Sequence, residues 1–184
     1  MRCAVDVAPL RAEPDGRAEQ VTQALRGEPL EPTGERQGRW VHVTTAYDYP
    51  GWIREELLEQ RVGVFGSPVA TSPLEAARRY LGAPYEWGGM TQRGIDCSGL
   101  VHMAFRLTGR LVPRDAHQQN YAGIEVAEPA PGDLVTYGDP VDHVAFWLGE
   151  GRILHSTGRE GGIGVVEEAE PLDLRARRGR VVRL

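Results

Sequence analysis

The chain has 184 residues, 41 % of them hydrophobic, enough for one ordinary globular domain or two small ones. Its formal net charge of −5, from 21 basic and 26 acidic residues, gives nucleic-acid binding no electrostatic support, and no basic amphipathic face offers itself to a membrane surface. No apolar run is long enough to cross a bilayer, and Met1-Arg2-Cys3-Ala4-Val5 meets Asp6 and Pro9 too soon for a secretory signal; the expectation is a cytoplasmic protein, with an exported form whose signal has been removed as the alternative.

In residues 1–62 short apolar runs alternate with turns. Cys3-Ala4-Val5, Ala18 to Leu25, Trp40-Val41-His42-Val43 and Gly51-Trp52-Ile53 predict a small all-β barrel with little helix. Residues 63–73, with Gly63, Gly66, Pro68 and Pro73, read as a linker. Ser72-Pro73-Leu74-Glu75 then opens a helix over 73–81, with serine as N-cap, proline in first position and glutamate placed to close a capping box; Gly82 and Pro84 stop it.

After a glycine-rich turn, Asp96-Cys97-Ser98-Gly99 runs into the apolar stretch Leu100 to Leu107, predicting a buried helix over 97–108 with Cys97 at its start. Unpaired N–H groups and the positive end of a helix dipole favour the thiolate, which is the attacking species. Asp96 caps the helix but its charge opposes thiolate formation, so a base is still required. A further helix is expected near 114–121. Strands at 133–137, 143–148, 152–157, 164–167 and 180–184 follow. Helices before strands exclude a doubly wound parallel sheet and make residues 74–184 an α+β domain.

Two strand histidines complete a constellation. The short turn Gly149-Glu150-Gly151 joins the runs that carry His143 and His155, so an antiparallel hairpin can set both on one sheet face. His143 would take the thiol proton and His155 would hold the other imidazole nitrogen in the right tautomer. On these residues alone Cys97 is equally a candidate nucleophile and an inert helix cysteine. His42, His102 and His117 read as structural or surface residues. Cys3 and Cys97 read as free thiols, since a bridge between them would consume the nucleophile. No His/Cys pair has zinc-site spacing, so no metal or cofactor is expected.

Tyr85-Glu86-Trp87-Gly88-Gly89, Asp96-Cys97-Ser98-Gly99-Leu100-Val101, Pro113-Arg114-Asp115 with Gln118, Pro131-Gly132-Asp133-Leu134, Asp142-His143-Val144-Ala145 and Leu154-His155-Ser156 occur in an order and spacing that resembles the NlpC-type cysteine peptidases of bacterial cell-wall peptides. Glu19 to Glu28 and Tyr49-Pro50-Gly51-Trp52-Ile53 resemble a bacterial SH3-like domain. The resemblance implies a papain-like core with catalytic Cys97, His143 and His155. Its expected reaction is hydrolysis of the bond between gamma-D-glutamate and the following diamino acid in peptidoglycan stem peptides. It implies Tyr85 as a hydroxyl beside the nucleophile, with a core aromatic as the equal alternative, and Asp96, Ser98, Arg114 and Asp115 near charged groups of the substrate, with capping or a loop salt bridge as the alternative reading. Tyr49 would meet a free N-terminal L-alanine, with Glu19 and Asp96 as carboxylate partners for its amine, which suits recycling of free L-Ala-gamma-D-Glu-diaminopimelate peptides. A thiol amidase or acyltransferase on the same core and a non-catalytic wall-binding protein are the competing readings. The expected partner is a peptidoglycan-derived peptide, without nucleic acid or membrane; a monomer is expected, though the sequence leaves oligomeric state open.

Overall fold

The computed structural model of the chain describes residues 1–60, 69–159 and 164–184. The chain divides into two compact units, Met1–Ser67 and Pro68–Leu184. That division falls inside the expected linker, whose residues 63–68 lie outside the described residues.

The first unit is built from β1 (Arg2–Cys3), β2 (Val7–Arg11), β3 (Gln20–Leu25), β4 (Leu30–Gln37), β5 (Trp40–Thr45), β6 (Pro50–Arg54) and β7 (Leu58–Glu59). Five of these form an antiparallel sheet in the order β3-β2-β6-β5-β4, and β1 pairs with β7. The period-2 pattern explains the core: Ala8 and Leu10 of β2, Val41 and Val43 of β5 and Ile53 of β6 alternate inward around Cys3, Ala24 and Leu30. The only helical turn among its described residues is a 3₁₀ turn at Glu55–Leu57.

The second unit opens with α1 (Pro73–Arg78), shorter than the expected 73–81. Tyr80 and Leu81 make i→i−3 bonds to Ala77 and Arg78, so the last turn tightens out of the α-helix before Gly82. Only half of the expected capping box forms. Ser72 Oγ accepts from the Glu75 N–H at 3.2 Å, but the Glu75 carboxylate accepts from the Thr71 N–H and hydroxyl instead of the Ser72 N–H. The small hairpin β8 (Met90–Thr91) and β9 (Gly94–Ile95) leads into α2 (Cys97–Arg106), and α3 (Ala116–Ala122) follows.

The main sheet contains β10 (Ile124–Glu125), β11 (Leu134–Tyr137), β12 (His143–Gly149), β13 (Arg152–Thr157), β14 (Gly164–Ala169) and β15 (Arg178–Arg183). Its order is β10-β15-β11-β12-β13-β14, with every neighbouring pair antiparallel. The fold is α+β. Phe105 of α2 stacks on Phe146 with ring centroids 6.3 Å apart, while Val135, Tyr137, Ala145 and Ile153, on the opposite side of their strands, cluster with Leu174 of α4 (Leu172–Ala176). The β8–β9 hairpin, β10 and α4 carry no periodic signal in the sequence: two-residue strands and a five-residue helix are too short to show one.

Candidate active site

The first turn of α2 is held from several directions. Asp96 is its N-cap, accepting from the Gly99 N–H at 2.6 Å and from the Gly88 N–H at 2.7 Å. The Arg114 guanidinium grips both Asp96 oxygens as a fork, at 2.9 and 2.8 Å, and donates to Ser98 Oγ at 2.9 Å. Gln119 Nε2 donates to the Ser98 carbonyl at 3.0 Å. A side chain on Gly99 would collide with the Gly89 carbonyl, so glycine is what lets the helix start this close to the preceding turn. Cys97 thereby occupies a fixed position at the helix start.

Asp96, Ser98 and Arg114, expected near charged groups of the substrate, are bonded to one another in this arrangement. Arg114 and Asp96 have side chains only 1 % and 7 % exposed, and Ser98 is buried between them. Their polar atoms are engaged with one another, because a charge taken out of water must be matched there. Asp115 is the N-cap of α3, its N–H donating to Gln118 Oε1 at 3.3 Å.

The histidines lie in β12 and β13 on the Ala145 and Ile153 side of the sheet, where the Tyr137 ring is 5.7 Å from that of His143. α2 packs chiefly on the other side; its N-terminal end meets β12, where the Val144 N–H faces the Cys97 sulphur. His143 Nε2 and His155 Nδ1 are 2.8 Å apart, so Nδ1 is the His143 nitrogen left for a thiol. A continuation escaped the sequence reading. His155 Nε2 bonds Glu168 Oε1 at 2.8 Å, and Arg159 donates to the same oxygen at 2.7 Å. The signal was present in strand alternation: Val166 pairs with His155, and Glu168 is two residues further along the same face, within reach of a long side chain.

Burial, and then the charge of Asp96, pushes the Cys97 thiol up to about 12; the Val144 and Ser98 N–H groups and Arg114 pull the other way and lose. Burial also pushes His143 down to about 3, with His155 adding to the effect. His155 is lowered by burial, against the opposing pull of Glu168. Burial works to raise the Glu168 carboxyl, but its bonds from Arg159 and His155 outweigh that and hold it below its ordinary value. At neutral pH the thiol and the imidazole are both uncharged, in contrast to the thiolate expected from the helix terminus alone. Ionising either one alone is costly in so buried a setting.

Tyr85 is half-buried, and after burial the charges of Cys97 and Asp96 are what raise its phenol. Its ring lies over Gly158, where a Cβ would come within 2.9 Å of it.

The NlpC/P60 family model matches residues 82–172, spanning the thiol, both histidines and Glu168, and a bacterial dipeptidyl-peptidase Sh3 domain matches residues 10–58. The chain carries an NlpC/P60 domain. It is 37 % identical over 90 residues to the gamma-D-glutamyl-L-lysine dipeptidyl-peptidase of Bacillus subtilis, covering 45 % of this chain and 30 % of that one. It is 30 % identical over 141 residues to dipeptidyl-peptidase 6 of Lysinibacillus sphaericus, covering 72 % of this chain and 51 % of the relative. The crystal structure of an NlpC/P60 family protein from Bacillus cereus superimposes with a TM-score of 0.57 at 22 % identity, over 99 % of this chain and 62 % of that one, a likeness of fold. The chain spans between 23 % and 51 % of the length of such curated relatives.

Two remaining candidates, Tyr49 and Glu19, belong to the Sh3 unit. Tyr49 is half-buried before β6, its N–H bonding Thr45 Oγ1 at 3.0 Å, and Glu19 is exposed before β3. Their link with Cys97 is carried by the resemblance to NlpC-type enzymes. Of the other histidines, His102 is buried in α2 with Nδ1 2.7 Å from the Val112 carbonyl, and His117 is exposed.

Proposed function

We propose that this chain is a cysteine peptidase that hydrolyses peptidoglycan stem peptides between gamma-D-glutamate and the following diamino acid. One observation carries the reading: a cysteine fixed at a helix start meets the strand that begins with His143, whose far nitrogen is bonded to His155. The names of its relatives support the bond and leave L-lysine beside diaminopimelate as the diamino acid.

In the first step Cys97 Sγ attacks the gamma-carbonyl carbon while His143 Nδ1 takes the thiol proton. The negative oxygen of the tetrahedral intermediate needs donors aimed at it. The Cys97 N–H, which has no intrahelical acceptor in the first helical position, is one of them, and the Tyr85 phenol, within electrostatic reach of Cys97, is a second candidate. Collapse breaks the C–N bond, and the same proton passes from His143 Nδ1 to the departing amine. Water then attacks the thioester, giving one proton to His143 that returns to sulphur as the C–S bond breaks, and the carboxylic acid product loses its remaining proton to solvent. His155 holds the ring in place throughout.

We also propose that the preferred substrate is a free peptide with an N-terminal L-alanine amine, for which Tyr49 and Glu19 are the candidate contacts. Asp96 joins them at most as a carboxylate already paired with Arg114. The test incubates purified protein with defined muropeptides containing each diamino acid and identifies products by mass. Release of the diamino-acid peptide by wild type, and not by Cys97→Ala, is expected. Cleavage elsewhere, or unchanged cleavage by Cys97→Ala, would overturn the assignment.

A further inference from the structure

We propose that Glu168 is a positioning residue that sets the tautomer of both histidines, and through them supplies Cys97 with a bare nitrogen. The inference deepens the peptidase reading and rests on it for its consequence in catalysis, though its geometry stands apart.

Protons can be counted along one line of hydrogen bonds, from Glu168 through His155 to His143. A carboxylate has lone pairs and no proton to give, so in the contact between His155 Nε2 and Glu168 Oε1 the ring must be the donor. His155 is fully buried and has no water to ionise into; with its proton on Nε2 the neutral ring has a bare Nδ1. That bare Nδ1 sits 2.8 Å from His143 Nε2, which must therefore be the donor of the second bond. The His143 proton is thus on Nε2 and its Nδ1 carries a lone pair. This is the tautomer a general base for the thiol requires. With the opposite tautomer at His155, Nδ1 would donate, His143 Nε2 would accept, and His143 Nδ1 would hold a proton and be useless as a base.

His155 by itself cannot make this choice, because its two nitrogens are interchangeable as donor and acceptor. Glu168 makes it, two rings away from the sulphur. Arg159 donates to the same Glu168 oxygen at 2.7 Å and keeps the group anionic, hence acceptor-only. The ladder explains how a side chain thirteen residues from His155 comes to lie there: Val166 is the direct partner of His155, and Glu168 projects from the next position on that face. Glu168 is 28 % exposed in its side chain, so it can be replaced without opening the core.

The test combines ¹⁵N NMR of the histidine rings with steady-state kinetics on the full chain. In wild type near pH 7.5, both His143 and His155 should show a protonated Nε2 and an unprotonated Nδ1. Glu168→Leu removes the acceptor, and the rings should become tautomer mixtures while kcat falls about ten- to a hundredfold with KM little changed. Glu168→Gln, whose amide oxygen can still accept, should retain more of both the tautomer pattern and kcat than Glu168→Leu. Should Glu168→Leu not fold, wild type and Glu168→Gln still decide. The opposite tautomer at either ring in wild type overturns the proposal. So does a Glu168→Leu protein with the wild-type ring pattern, whether or not its kcat has fallen. If wild type cuts no muropeptide, the peptidase reading fails, while the ring spectra still decide the role of Glu168.

Discussion

Burial places Cys97 and His143 in a regime where each rests neutral, and the proposed roles of the two histidines can be told apart by substitution. His143→Ala removes the proposed proton carrier and should lower kcat by about 10² to 10⁴. His155→Asn leaves an amide oxygen to accept the His143 Nε2–H and should keep measurable turnover; equal losses in the two variants would leave base and orienting group undistinguished. The acid side of the pH profile is a second expectation. An imidazole of ordinary pKa is only about 3 % neutral at pH 5. Burial holds His143 down to about 3, so kcat/KM at pH 5 should stay within a few-fold of its value at pH 7, and an acid limb near 6.5 would refute the burial argument. The sign for stability is the reverse of the benefit to activity. Below pH 6.5 the unfolded chain takes up protons at this histidine while the folded chain does not until near 3, so acidification favours unfolding across that window. At this scale the sequence placed Cys97 at a helix start and His143 and His155 on adjoining strands, because helix start, turn and strand are local features. It did not disclose Glu168, which acquires meaning only from the pairing register of β13 and β14, nor the inward turn of Arg114.

The start of α2 depends on a counter-charge supplied from the segment before α3. Arg114→Met would leave the Asp96 carboxylate, buried and bonded to two backbone N–H groups, without its cation. Removing one partner of a buried pair costs about 3–5 kcal/mol, against about 0–1 kcal/mol for a surface pair. Urea unfolding should show the larger loss, with Asp96→Asn in the same chain recovering a good part of it; a loss in the surface range would mean the pair is not as desolvated as its geometry implies. Sequence patterns located α2, α3 and five strands of the main sheet because alternation and helical period persist over four or more residues. They misjudged the end of α1 and the partner of Glu75, since a choice between Thr71 and Ser72 as donor depends on side-chain geometry that spacing does not encode.

Over the whole chain, two compact units raise the question of what the first contributes to hydrolysis. The proposed preference for an amine-bearing substrate gives a direct measure: the free peptide should be cut much faster than its N-acetylated form by wild type, and Tyr49→Ala should narrow the difference. Equal rates on the two peptides would detach the first unit from substrate choice and favour a hydrolase of intact wall. The order of β12, β13 and β14 has a consequence for how activity arises in time. His143 to His155 and His155 to Glu168 span 12 and 13 residues of chain, in adjacent antiparallel strands. Cys97 lies 46 residues before His143, in a helix that must dock on the finished sheet. Contacts between near neighbours in sequence close early and distant ones close late. A refolding chain is therefore expected to join His143, His155 and Glu168 before α2 docks on the sheet, so that copies still emerging from synthesis, or half unfolded, would lack the assembled site.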